Sequence, residues 1–320
     1  LDGINVIRRG RSRATFNFTV PRVWRSALSR NGYDVVVDDM NKVPFYTPLY
    51  VESPVVALVH HLFGRTIFQE TNPLFGAYLL LSEQPIASVY RGCPFIAVSP
   101  STAADLERRG IDRASITVIP NGIPPIPDEV ELLALPKDPE PLFLYLGRLK
   151  RYKRVELLLE AFARIEADLP GARLVIAGDG DHRAALERDA RTRGIAGRVE
   201  FPGWIGEEEK WRLLRRAWAV GYTSPKEGWG FSSIEAQRVG TIAIVSDAPG
   251  LRDTVVDGET GRVVPHGDVA ALADALLSAA ENPADRGRME ARAIERARTF
   301  TWDAAADATE AVLGDAIEGP

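Results

Sequence analysis

The chain has 320 residues, 45% hydrophobic and 26% charged, with a net charge of −5. That length can hold two domains with full cores, and the negative balance argues against a general nucleic-acid binder. Cys93 is the single cysteine, which excludes an intrachain disulfide and a thiolate metal cluster and fits a reducing, cytoplasmic setting. No apolar run approaches the roughly 20 residues of a membrane span.

In the first half, short β-branched runs at residues 4–8, 34–38, 55–60, 95–99 and 116–119 read as strands. Residues 21–30, 73–90 and 101–109 read as helices between them, with Ser101 as an N-cap. Arg8, Arg9, Arg11, Arg13, Arg22, Arg25 and Arg30 crowd the start, with only Asp2 against them. Such a cluster is a solvated surface or a contact for an anionic partner, such as the inner face of a membrane. The chain begins at Leu1 and shows no signal peptide.

Asn121-Gly122 then makes a turn, and prolines follow at 124, 125, 127, 136, 139 and 141. The expected organisation is an N-terminal domain over 1–124, a linker over 125–140, a second domain over 141–300 and a C-terminal helix over 301–320.

The second half alternates regularly. Leu142–Leu146, Arg173–Ala177, 199–201, Ala219–Tyr222, Ile242–Ser246 and Gly261–Val264 read as strands. Residues 155–168, 183–193, 207–217, 232–239 and 268–282 read as helices. Beyond Pro283 the pattern is helical, with Thr301 capping a last helix over 302–313. Strict alternation implies a parallel sheet covered on both faces, which binds ligands beyond the carboxyl ends of its strands. Gly147-Arg148, Gly178-Asp179-Gly180 and Glu227-Gly228 all fall at such ends.

Four motifs carry chemistry. Glu227 and Glu235 bracket Gly228-Trp229-Gly230-Phe231-Ser232-Ser233-Ile234, a glycine-rich turn that runs into a helix. Glycines let backbone approach a ligand, and a new helix offers free N–H groups to an anion. Arg148 and Lys153, after the strand Leu142–Leu146, can sit over a diphosphate. Alone they would read as a basic surface loop; with the two carboxylates, which only accept hydrogen bonds, they describe a ligand that is part phosphate and part sugar. Gly178-Asp179-Gly180-Asp181 lacks the third glycine of a dinucleotide fingerprint, and its Asp-x-Asp reads as a turn into a helix rather than a metal site. His60, followed by His61, ends the strand at 55–60, where a histidine can face a crevice or merely be solvated.

These residues resemble the retaining glycosyltransferases of the GT-B fold, specifically glycosyltransferase family 4. Gly147, Arg148 and Lys153 match the family's strand–Gly-Arg–Lys pattern, and Gly178 to Gly180 its Gly-x-Gly. Glu227 to Glu235 match its paired glutamates, with Trp229 in the aromatic position. The Asn121-Gly122 turn and Trp302 also match. The resemblance implies two Rossmann-like α/β domains with parallel sheets facing across a cleft.

It further implies a nucleotide-sugar donor held by Gly147, Gly178, Gly228, Gly230, Phe231 and Ser232. Glu235 would take the ribose, Glu227 the transferred sugar, and Trp204 and Ile205 the base. Arg148 and Lys153 would stabilise the leaving diphosphate, with His60 on the donor sugar. Metal and other cofactors are not expected. The acceptor would be a saccharide, lipid or small molecule, and nucleic acid would not be a partner. Alternatives are a non-catalytic nucleotide-sugar-binding module and a GT-B phosphorylase or synthase. The family's opening strand and glycine-rich loop have no match before Asp2-Gly3-Ile4, so the first βαβ portion is expected to be absent, with an open sheet edge and weak or no activity as consequences.

Overall fold

The computed structural model describes residues 3–9, 16–40, 43–69 and 71–319. The chain forms two compact units: residues up to 119 together with those from 306 onward, and residues 120–305.

The N-terminal unit is built on four parallel strands, β1 (Val36–Met40), β2 (Val55–Val59), β3 (Phe95–Ala97) and β4 (Ile116–Val118), in that spatial order. Val59, Ile86, Tyr90, Phe95 and Leu106 form its core. Three sequence expectations need correction here. Residues 4–9 form no strand: Ile4, Val6 and Ile7 are exposed, and β1 begins only at Val36. A β-branched run becomes a strand only where a neighbouring ladder accepts it. The helix read over 73–90 is two helices, Pro73–Glu83 and Ile86–Val89, separated at Pro85, because proline interrupts the backbone ladder. The helix cap is Ser99, not Ser101; its side chain accepts from the Thr102 amide, and Pro100 takes the first helical position. Arg8, Arg9, Arg22, Arg25 and Arg30 are exposed, whereas Arg11 and Arg13 lie outside the described residues.

The C-terminal unit holds β5 (Leu142–Leu146), β6 (Arg173–Ala177), β7 (Val199–Gly203), β8 (Ala219–Tyr222), β9 (Ile242–Ser246) and β10 (Gly261–Val264). All pairings are parallel, in the order β10-β9-β8-β5-β6-β7. Every residue of β8 and β9 is buried, as a sheet covered on both faces requires. The helix Val155–Ile165 buries seven of its eleven residues, and Phe162 meets Phe143 of β5 edge-on. A short helix, Glu129–Ala134, precedes β5. The Asn121-Gly122 turn packs so closely on the start of the helix Trp302–Glu318 that a Cβ on Gly122 would fall 2.2 Å from the Trp302 nitrogen. Thr301 caps that helix by accepting from the Ala304 amide. Among the described residues, no helix is long and apolar enough to cross a membrane.

Candidate functional site

From β5, the C-terminal sheet grows through β6 and β7 on one side and through β8, β9 and β10 on the other. The crevice beyond the carboxyl ends of β5 and β8 is therefore the switch point of the sheet, where loops diverge and leave room for a ligand. A pocket of ≈ 240 Å³ opens there. Gly147, Arg148 and Lys153 line it from the loop after β5; Glu227 and Trp229 line it from the loop after β8; Gly230, Phe231 and Ser232 line it from the start of a helix.

Glycines shape the first loop. Gly178 (φ +133°) lies so close beneath it that a Cβ would fall 2.0 Å from the Gly147 carbonyl oxygen, and a Cβ on Gly180 would fall 2.2 Å from that of Leu149. The Leu149 amide donates to Asp179 at 2.9 Å, and the Leu149 carbonyl accepts from the His182 amide at 3.0 Å. Gly178-Asp179-Gly180 is thus a backbone platform under the Arg148 loop, and Gly178 itself does not line the pocket. The Asp-x-Asp carboxylates have other duties: Asp179 accepts from the Gly180 amide, and Asp181 pairs with Lys150 at 2.7 Å.

Lys153 ends a tight turn, Arg151–Lys153, before the helix Val155–Ile165. The Thr223 hydroxyl, just past β8, donates to the Lys153 and Arg154 carbonyls at 3.1 and 2.8 Å and ties the two loops together. Lys153 Nζ lies 2.5 Å from Glu227 Oε1, with each side chain 17% exposed. Glu227 is held from behind: its amide donates to Pro249 at 2.9 Å, and a Cβ on Gly250 (φ +81°) would fall 2.1 Å from its carbonyl oxygen. Arg148 is exposed, and among the described residues no carboxylate pairs with it. Its guanidinium donates to the Tyr152 hydroxyl at 3.4 Å, and it is a pocket cation without a counter-charge among the described residues. The Tyr145 hydroxyl donates to the Arg148 carbonyl at 3.1 Å. Burial pushes the Tyr145 pKa up, and the Glu227 charge acts in the same direction, so this phenol stays a neutral donor.

The helix Phe231–Arg238 starts at Gly230 with no side-chain cap. The Phe231 and Ser233 amides donate to the Trp229 and Gly230 carbonyls at 3.0 and 2.9 Å, which leaves the Ser232 amide at the pocket, where the macrodipole favours an anion. Gln237 and Thr254 anchor its far side through a 2.8 Å bond. Trp229 is 7% exposed, and its indole N–H has no hydrogen-bond partner among the described residues. A buried donor of this kind calls for an acceptor from water or ligand.

The remaining sequence candidates lie outside the pocket lining. Glu235 is 8% exposed and pairs with Lys210 at 2.9 Å. Gly228 lies under the Gly250 turn. Ile205 packs on the core, whereas Trp204 is 86% exposed. His60 belongs to the N-terminal unit, at the end of β2, with Nε2 3.1 Å from Asp39 Oδ1. Sequence reasoning missed Lys210, Asp39, Tyr145 and Gly250. Pro249-Gly250, three residues past the end of β9, was a usable signal; Lys210, within a run of charged residues opening a surface helix, gave none.

Residues 133–299 match the family model described as Glycosyl transferases group 1. The chain belongs to this family. Residues 2–125 match a second model, Glycosyltransferase Family 4. The D-inositol 3-phosphate glycosyltransferase of Corynebacterium diphtheriae is 37% identical over 178 residues, 54% of this chain and 42% of that protein. The glycogen synthase of Mycobacterium tuberculosis is 34% identical over 210 residues, 64% of this chain and 50% of that protein. The chain spans about half the length of these curated relatives. Among solved structures, sucrose-phosphate synthase from Thermosynechococcus elongatus superposes with a TM-score of 0.75 at 25% identity, covering 95% of this chain and 79% of that one. Anabaena HepE in complex with UDP gives 0.73 at 17%, covering 93% and 81%. Two parallel α/β units of this kind are the GT-B fold of the group 1 glycosyl transferases.

Proposed function

We propose that this family member is a retaining glycosyltransferase that moves a sugar from a nucleoside-diphosphate sugar to a hydroxyl acceptor without a metal. One observation carries the reading: at the switch point of the C-terminal sheet, Arg148, Lys153, an uncapped helix start and Glu227 line a single pocket. Breaking the bond between sugar and diphosphate leaves negative charge on the diphosphate and positive charge on the ring. Arg148 and Lys153, with the Ser232 amide at the helix start, stabilise the first; this is the electrostatic work a metal does in other sites. Glu227 accepts from hydroxyls of the transferred sugar. Its contact with Lys153 keeps both side chains paired before the donor arrives, so neither waits as a lone buried charge. Glu235 accepts from the ribose hydroxyls, and Gly178 holds the Arg148 loop in place. His60, whose Nε2 lies 3.1 Å from Asp39 Oδ1, is assigned to the donor sugar by the family resemblance alone. The diphosphate leaving from the same face accepts the acceptor's proton, so no protein nucleophile is assigned.

Calorimetry with UDP, GDP, ADP and their sugar conjugates, in buffer containing EDTA, tests the reading. Glu235→Ala is expected to weaken nucleoside diphosphate and conjugate alike. Glu227→Ala is expected to spare the diphosphate and weaken the conjugate. No binding of any nucleotide in EDTA would overturn the metal-free donor site, and equal losses for both ligands in both variants would overturn the division of labour.

A further inference from the structure

Glu235 poses a physical problem that the donor reading does not solve. Its residue is only 8% exposed, and an ionised carboxylate at that depth is costly without a partner. The site works as a hydroxyl acceptor only if something partners the Glu235 carboxylate, holds its orientation and still leaves one oxygen free.

Lys210 meets these conditions. It lies in the first turn of the helix Glu207–Arg216 and reaches Glu235 Oε1 at 2.9 Å. The lysine is itself tethered: Nζ lies 2.7 Å from Glu207 Oε2 and 4.5 Å above the Trp211 ring. Its side chain is 12% exposed and that of Glu235 is 11% exposed, whereas Glu207 is 71% exposed. Burial alone would pull the lysine's pKa down, but the bonds to Glu207 and Glu235 outweigh it and raise the value. Only Oε1 of Glu235 is engaged by Lys210. Position 235 is three residues beyond Ser232 and four beyond Phe231, so it shares the helix face of these two pocket residues. We propose that Lys210 is a positioning residue for nucleotide recognition: its bond to Oε1 holds the Glu235 side chain turned so that the other oxygen accepts the ribose hydroxyls of a nucleoside diphosphate. The inference rests on the donor-site reading.

The test compares ribonucleoside diphosphate with its 2′,3′-dideoxy analogue, using whichever of UDP, GDP and ADP binds the wild-type protein best. Wild type, Lys210→Met, Lys210→Arg and Glu235→Gln are titrated by calorimetry with both ligands. Lys210→Met is expected to lose about tenfold or more for the ribonucleotide, ~1.4 kcal/mol, and little for the dideoxy analogue. Lys210→Arg is expected to restore most of the difference, since a guanidinium can still donate to both carboxylates. Equal weakening of both ligands, or no weakening of either, overturns the proposal. If Glu235→Gln loses ribose-dependent affinity while Lys210→Met does not, only the role of Lys210 falls. If Glu235→Gln shows no ribose-dependent loss, the ribose reading falls and Lys210 with it. Should Lys210→Met fail to fold, Lys210→Gln, of similar length and uncharged, carries the same comparison.

Discussion

The two sheets hold the loops at their strand ends by different physics. In the C-terminal unit the loops rest on glycines: Gly178 beneath Gly147, Gly180 beneath Leu149 and Gly250 beneath Glu227, each at a distance that a side chain would occupy. In the N-terminal unit the equivalent work falls to buried carboxylates. Glu83, 2% exposed, accepts from the Phe63 and Gly64 amides at 2.6 and 2.9 Å and from Arg109 at 2.8 Å, clamping the loop that follows His60-His61. Asp38, 1% exposed, accepts from the Thr47 hydroxyl at 2.8 Å and from the Tyr90 hydroxyl. Backbone resting on backbone is indifferent to protonation but has no room for a methyl group. A carboxylate clamp tolerates neighbouring side chains but depends on charge and on a complete set of donors.

The sharpest way to break this contrast is to add one methyl group. Gly178→Ala places Cβ on the Gly147 carbonyl at a backbone angle L residues avoid. It is expected to cost about 3 kcal/mol or more and to abolish nucleotide binding by displacing Arg148. Gly194→Ala is the control: φ is +79° but nothing lies within 4 Å of the new Cβ, so only backbone strain of about 1 kcal/mol is expected. Hydrogen-exchange protection across the C-terminal unit, with a nucleotide titration on both variants, decides. Similar costs at the two glycines would mean that strain, not contact, governs these loops.

Removing a clamp should do less, and in a different place. Glu83→Ala strips the Phe63 and Gly64 amides and Arg109 of their shared acceptor. A loss of about 2 kcal/mol follows from leaving such donors unpaired. Hydrogen exchange should quicken at residues 63–64, while nucleoside diphosphate affinity at the C-terminal pocket stays within error. Unchanged protection at 63–64 would show that the clamp holds nothing.

The same contrast explains what could be read from the sequence. Most C-terminal strands match the reading residue for residue, because a doubly covered parallel strand is a run of apolar residues, ended by glycine at β5 and β6, and both signals are local. Pocket residues such as Arg148, Lys153 and Glu227 were legible for the same reason. The carboxylate clamps were not. Glu83 sits on a helix, and its partners are at positions 63, 64 and 109; nothing in the intervening sequence specifies that meeting. Asp38 and Asp39 are neighbours with opposite fates, one buried in a network and one paired with His60 at the surface. The two-residue period of a strand separates their faces, but only the fold decides which face is the core. Residues 4–8 had strand composition and no ladder to join.

The smallest expected effect concerns the second clamp and its dependence on pH. Burial raises the Asp38 pKa above its ordinary value of 3.8, and the bonds from Tyr90 and Thr47 pull it only partly back. Asp38 Oδ1 is also buried without a hydrogen-bond partner, so the ionised form leaves one oxygen uncompensated. The folded state therefore holds this proton more tightly than the unfolded chain does. A group of that kind contributes stability that is fully present below the unfolded pKa and is lost as pH rises through the folded one. The window opens near 3.8 and extends upward. Asp38→Asn is neutral throughout and keeps an oxygen to accept from Thr47 and Tyr90, so it should lack this slope. The comparison is of slopes, because the new amide group changes the absolute level. Two units make a single global unfolding energy ill-defined, so the measurement is hydrogen-exchange protection of the β1 and β2 amides, corrected for intrinsic rates, between about pH 4 and pH 7. Wild-type protection should fall with rising pH relative to the Asn variant. Parallel profiles would mean that Asp38 stays ionised in the fold and that its hydrogen bonds, not its burial, set its charge.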